Sequence, residues 1–184
     1  IAVDFNISPM CASVFQLYDS SPNIRVIDEI KLRHNTTGDL MTELLAKEVK
    51  RRYPRSEYAK GDILEKNKLK PYIAYPDPAG TQRRSSAPIT DHQILMKEGF
   101  KLRVKKAAPR VVDRMNAVNN AFNFTIIDPK CKNLIKDFEQ VVLKEGTRDL
   151  DKSNLDLTHF SDGFGYAVDI EFPVKRPKPQ SYMA

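Results

Sequence analysis

The chain has 184 residues, 30 Lys and Arg against 24 Asp and Glu for a net charge of +6, and 41% hydrophobic residues. That is enough apolar material for one ordinary core, which argues against a fully disordered chain, and no apolar run approaches the roughly eighteen residues of a membrane-spanning helix. Cys11 and Cys131 stand far apart with no C-x-x-C pair, and no G-x-x-x-x-G-K-[ST] or G-x-G-x-x-G loop is present, which argues against a zinc ribbon, a disulfide scaffold and a nucleotide-hydrolysing domain.

The first element in chain order is Ile1 to Phe5, a short strand running into the turn residues Asn6, Ser8 and Pro9. It has neither the basic region nor the long apolar run of a secretory signal, and the absence of Met suggests a domain of a longer protein. Cys11 to Tyr18 and Ile24 to Leu32 read as two further strands, and the short links between the three predict an antiparallel meander. The period then changes. Thr37 or Asp39 caps a helix with Leu40, Met41, Leu44, Leu45 and Val49 on one face, ending by Tyr53-Pro54. Lys47 to Lys70 is strongly basic and reads as a solvated loop. Pro71 to Tyr75 is a strand closed by Pro76-Asp77-Pro78, Arg83 to Pro88 a polar loop, and Thr90 or Asp91 opens a helix that Gly99 stops.

Lys101 to Lys106 reads as a basic strand, and Pro109 opens a helix with Val111, Val112, Met115, Val118 and Phe122 as its apolar stripe. Phe124 to Ile127 is a strand, Lys132 to Leu143 an amphipathic helix, Glu145 to Thr158 a loop or small hairpin, and His159 to Ile170 a last helix capped by Thr158 or Ser161. The order is β-β-β-α-β-α-β-α-β-α-α. It predicts an α/β fold with a mixed sheet, an antiparallel meander plus parallel strands, flanked by helices, and fits the ribonuclease H-like fold best. The domain is expected to span 1–172, with 173–184 a flexible C-terminal tail.

Three aspartates draw the chemistry together. Asp4 ends an apolar strand, where a carboxylate has to be solvated, paired or metal-bound. Asp77 follows another strand between two prolines that fix its backbone. Asp162 lies one helical turn after His159, so the two are expected on one helix face, as a metal pair or as an ordinary hydrogen bond. Taken singly, a strand end, a turn and a first-turn helix acid explain each aspartate. In a ribonuclease H-like sheet the first strand, the fourth strand and a late helix meet at one edge, which brings Asp4, Asp77 and Asp162 together. Carboxylates so crowded repel unless cations sit between them, and oxygen-rich sites prefer hard ions such as Mg²⁺ or Mn²⁺. Two such ions activate water and stabilise a leaving oxygen in phosphodiester hydrolysis. Asp28 or Glu29 is a weaker candidate ligand, and a surface charge is the alternative for either.

Ala2-Val3-Asp4, Tyr75-Pro76-Asp77-Pro78, the blocks Val112 to Asn119 and Ile127 to Ile135, and Thr158-His159-Phe160-Ser161-Asp162-Gly163-Phe164-Gly165-Tyr166 together carry a resemblance. The chain resembles the C-terminal nuclease domain of the terminase large subunit, the DNA-packaging motor of tailed bacteriophages, from residue 1 to about 170. The family often has Ala where this chain has Gly163. The resemblance implies a metal-dependent endonuclease that cuts concatemeric double-stranded DNA, with Asp4, Asp77 and Asp162 as catalytic metal ligands of two divalent ions and His159 as a further ligand. It also implies an N-terminal ATPase domain in the full-length chain, portal protein and small terminase subunit as partners, and a place in the host cytoplasm rather than in the mature virion, away from membranes.

The basic balance suits a polyanion. Arg83 and Arg84, just after Asp77, and Lys101, Arg103, Lys105 and Lys106, with Arg110 beyond, are the candidate contacts to DNA phosphates, although basic runs are usually solvated faces. Two other readings stand beside the terminase one: another ribonuclease H-like nuclease of the resolvase or integrase type, and a catalytically inactive DNA-binding or assembly module.

Overall fold

The computed structural model describes residues 1–6, 8–19, 23–52, 72–82 and 88–174. In chain order these form β1 (Ala2–Asp4), β2 (Met10–Tyr18), β3 (Asn23–Leu32), α1 (Thr37–Arg52), β4 (Ile73–Pro76), α2 (Asp91–Lys97), β5 (Lys101–Leu102), α3 (Val111–Ala121), β6 (Thr125–Ile127), α4 (Lys132–Gln140) and α5 (His159–Glu171). The six strands make one sheet in the order β5-β4-β1-β2-β3-β6. β1, β2 and β3 are antiparallel neighbours, while β4 runs parallel to β1, β5 to β4 and β6 to β3. This is the mixed sheet of the ribonuclease H-like fold.

The period-two alternation of the strands sorts their side chains onto two faces. Val3, Met10, Ala12, Val14 and Ile30 are buried with Leu40, Met41 and Leu44 of α1 and Leu95 of α2. On the opposite face Cys11, Ile24 and Val26 are buried with α3, α4 and α5, which contribute Ala117, Val118, Leu134, Phe160, Phe164 and Val168. Asp4 is offset by one residue from Val3, so it belongs to the face that α5 covers.

Several local expectations change. β5 is two residues long rather than spanning Lys101 to Lys106, because beyond the Arg103 backbone bond to Ala74 the basic side chains turn to the end of α5: Arg103 pairs with Glu171 at 2.6 Å and Lys105 with Asp169. The last turn of a helix carries partial negative charge, which favours this arrangement. The buried face of α3 is Arg114, Ala117, Val118 and Ala121, while Met115 is only partly buried and Phe122 is exposed. α4 stops at Gln140, and Leu143 bridges Leu150 in a small hairpin.

Neither Thr158 nor Ser161 caps α5. Thr158 sits in the left-handed region at φ 77° with no side-chain cap. The cap comes instead from α4, whose buried Asp137 accepts from the Phe160 and Ser161 backbone N–H groups at 2.9 and 3.0 Å. Lys47 to Arg52 belong to α1, and the rest of the expected basic loop, 53–70, lies outside the described residues, as do 83–87 and the tail from 175 onward.

Candidate active site

Two parallel strands end side by side. The Tyr75 N–H donates to the Ile1 carbonyl and the Asp77 N–H to the Val3 carbonyl, at 2.8 and 3.0 Å, which sets Asp77 beside the end of β1 where Asp4 lies. α5 rests directly on β1. A Cβ added at Gly163 would stand 3.5 Å from the Asp4 nitrogen, so the next residue back, Asp162, reaches the same edge. Topology thus brings together three acids that are far apart in sequence.

Each carboxylate has its own surroundings. Asp77 caps the short 3-10 turn Pro78–Thr81, its Oδ1 accepting from the Ala79 N–H at 2.9 Å. His92, buried on α2, donates Nε2–H to the Asp77 carbonyl at 2.9 Å and fixes that turn from below. Gly80 has to be glycine here, since a Cβ would lie 2.5 Å from the Phe5 ring and 2.7 Å from His92. Burial pushes the Asp77 carboxyl up, and the charges of Asp4 and Asp162 push the same way, against the Ala79 bond and Arg114.

Asp4 is buried, with Oδ2 at 2.9 Å from His159 Nδ1 and 3.3 Å from Asn6 Nδ2. Asn6 Nδ2 also lies 2.8 Å from His159 Nδ1, and His159 Nε2 donates to the Leu155 carbonyl at 3.0 Å. The bond to Asp4 raises the His159 pKa above its ordinary value of 6.5. His159 and Asp162 were expected to converge because they share a helix face, but they part: His159 turns to Asp4, while Asp162 turns to two cations. Arg114 donates to Asp162 Oδ1, and Lys152 Nζ donates to Oδ2 at 3.1 Å. The Arg114 guanidinium is buried and lies 4.8 Å from the centre of the Tyr166 ring.

In kind, the donors fit a hard divalent cation, with three carboxylates and one imidazole at one sheet edge. Burial is the main cause of the raised Asp77 carboxyl, and a cation at this edge would offset the smaller part that comes from Asp4 and Asp162. As the side chains stand, no three His, Cys, Asp or Glu residues surround a common point among the described residues, because Asp162 is held by Arg114 and Lys152.

No protein-family model matches the chain, and no curated protein matches it. Solved structures do. The large terminase of a thermophilic bacteriophage superposes with a TM-score of 0.61 at 19% identity, over 91% of this chain and 37% of that one. The large terminase nuclease domain of bacteriophage SPP1, a structure with bound Mn, gives 0.53 at 17% identity over 91% of this chain and 83% of that one. The P22 large terminase nuclease domain gives 0.58 at 12% identity, over 90% and 77%. The fold is that of a terminase nuclease domain. The chain spans a little over a third of the thermophilic phage's protein, whose structures include complexes with ADP and ATP-gamma-S.

Of the candidate DNA contacts, Arg83 and Arg84 lie outside the described residues. Lys101 and Lys106 are exposed, as is Arg110, whereas Arg103 and Lys105 are tied to α5. Glu29 is a helix cap, accepting from the Asn133 and Leu134 N–H groups at 2.9 Å each. Asp28 pairs with Lys47 at 3.2 Å.

The sequence reading missed Arg114, Lys152, Asn6 and His92. Arg114 left a signal, because Arg114, Ala117, Val118 and Ala121 follow helical spacing, and a charge on a buried face demands a buried partner. Lys152 and Asn6 are polar residues in polar stretches and left none.

Proposed function

We propose that the chain is the metal-dependent endonuclease domain of a viral terminase large subunit. It hydrolyses phosphodiester bonds of concatemeric double-stranded DNA during genome packaging, with two divalent ions, Mg²⁺ or Mn²⁺. The observation that carries this reading is the meeting of Asp4, Asp77 and Asp162 at the ends of β1, β4 and the start of α5, in the fold of the terminase nuclease domains. The Mn in the SPP1 structure supports the choice of ion.

In this reading Asp4, Asp77 and Asp162 would hold the ions, and His159 would become a further ligand only when its Nδ1 gives up the bond to Asp4. When bound, such ions lower the pKa of water and offset charge on the leaving oxygen. The protein contributes rigidity. β1 and β4 fix two of the carboxylates, His92 and Gly80 hold the Asp77 turn, and Asp137 with Gly163 seats the start of α5 on β1. In the metal-free protein His159, held by the Leu155 carbonyl at Nε2, donates Nδ1–H to Asp4 and orients it. Lys101, Lys106 and Arg110, with Arg83 and Arg84, meet the phosphate backbone, which gives binding that is salt-sensitive and little dependent on sequence. The ATPase domain of the full chain, portal protein and small terminase subunit are the partners, and the host cytoplasm is the place.

The cations on Asp162 favour one other reading, a DNA-binding module that kept the fold without the chemistry. A supercoiled plasmid separates the two. Conversion to nicked and linear forms in Mn²⁺ or Mg²⁺, lost in EDTA and indifferent to ATP, supports the nuclease. DNA binding without cleavage in either metal supports the module.

A further inference from the structure

Asp162 is the one carboxylate of the cluster with both oxygens taken by cations, Oδ1 by Arg114 and Oδ2 by Lys152. The two cations are built differently. The Arg114 side chain is 7% exposed, packed over the Tyr166 ring, and lies where any Cβ at Gly165 would collide with it at 2.5 Å. The Lys152 side chain is 61% exposed, sits in the loop before α5, and has Asp162 as its only partner among the described residues. Pulling Arg114 away would strand a buried charge, whereas an exposed lysine leaves an ion pair at little cost.

We propose that Lys152 is a displaceable counter-cation of Asp162 and that a divalent ion is taken up by exchange against it, with Arg114 remaining in place. The inference rests on the metal-centre reading above. Lys152 acts on metal loading in two ways. Its ammonium occupies the oxygen that a metal needs, and its charge repels the incoming ion across a short distance. In the metal-free protein it lends Asp162 a partner and so eases the crowding with Asp4 and Asp77. Once displaced, the ammonium stands at the rim of the site, free to meet an anionic substrate.

The test is Mn²⁺ titration by calorimetry on the metal-free chain, with thermal melts in EDTA and in Mn²⁺, for the parent, Lys152→Met and Lys152→Arg. Lys152→Met keeps most of the stem and removes the charge. It is expected to bind Mn²⁺ on the order of three- to tenfold more tightly than the parent. It is also expected to melt no higher in EDTA and to gain more from Mn²⁺. Lys152→Arg keeps the charge and is expected to match the parent. A purely structural lysine would not produce tighter metal binding together with an unimproved metal-free melt. Equal or weaker Mn²⁺ binding by Lys152→Met, or binding by Lys152→Arg as tight as by Lys152→Met, overturns the proposal. A parent that shows neither heat nor a melting shift with Mn²⁺ overturns the metal-centre reading, and this proposal with it.

Discussion

Asp4, Asp77 and Asp162 are the same residue type in three environments, and the environment decides what an amide substitution does. Asp77→Asn removes a charge that burial and its two acidic neighbours already disfavour, so its metal-free melting temperature is expected to rise. Asp162→Asn leaves the buried Arg114 guanidinium without its anion, at a cost of about 3 kcal/mol, and is expected to lower it. Thermal melts in EDTA check both signs, and a higher melt for Asp162→Asn would mean that repulsion outweighs its bond to Arg114. Both variants are expected to lose most cleavage. The sequence alone suggested only that the three carboxylates repel one another. Asp4 and Asp77 were legible because an acid after an apolar run is conspicuous. The partner of Asp162 was not, since Arg114 lies 48 positions upstream and the pair exists only after α3 and α5 pack.

α5 is the element that assembles the site, and two of its glycines respond oppositely to the same change. A Cβ at Gly163 meets β1 at an ordinary 3.5 Å, so Gly163→Ala is expected to gain about 0.5–1 kcal/mol from reduced chain entropy. That space accords with the Ala expected there from the resemblance. At Gly165 the Cβ would lie 2.5 Å from the Arg114 Cγ and 2.6 Å from its Cδ. Gly165→Ala is therefore expected to cost roughly 1–3 kcal/mol through overpacking and to loosen Arg114 from Asp162. Denaturant melts of the two variants, with opposite shifts expected, check this, and a stabilised Gly165→Ala would contradict the packing described.

Element order could be read from periodicity because each helix and strand carries its own apolar pattern. The ends could not, where distant groups decide them. Asp137 rather than Thr158 satisfies the start of α5, and the left-handed Thr158 costs on the order of 1–3 kcal/mol that this long-range cap helps to offset. In the same way Glu29, on a strand that reads as surface, proves to cap α4. The basic run after β5 breaks from the strand because Asp169 and Glu171 lie within reach.

At the scale of the whole molecule, helices cover both faces of the sheet and leave the site at one edge. Cys11 and Cys131 both lie in the core on the α5 side. Burial pushes both thiols up, Cys131 from an ordinary 9.0 to about 12. A thiol with a raised folded pKa keeps its proton while the unfolded chain loses its own. The stability it contributes is therefore intact below pH 9 and falls as pH rises from 9 toward 12. Iodoacetamide labelling of the native protein at pH 8–9 is expected to be limited by unfolding and to accelerate with denaturant, and rapid labelling without denaturant would contradict the burial. The architecture itself was legible, because strand and helix order leaves few ways to build such a sheet. Which carboxylate oxygen faces which cation was not, since that is settled by side chains meeting across the finished fold.

If the acids at this edge form a divalent-metal centre, Mn²⁺ soaked into crystals of the chain will reveal it by anomalous scattering. Peaks are expected beside the Asp4, Asp77 and Asp162 carboxylates, with Asp162 released from Lys152. Crystals at millimolar Mn²⁺ with no peak at that edge, and with Asp162 still bound to both Arg114 and Lys152, would contradict it.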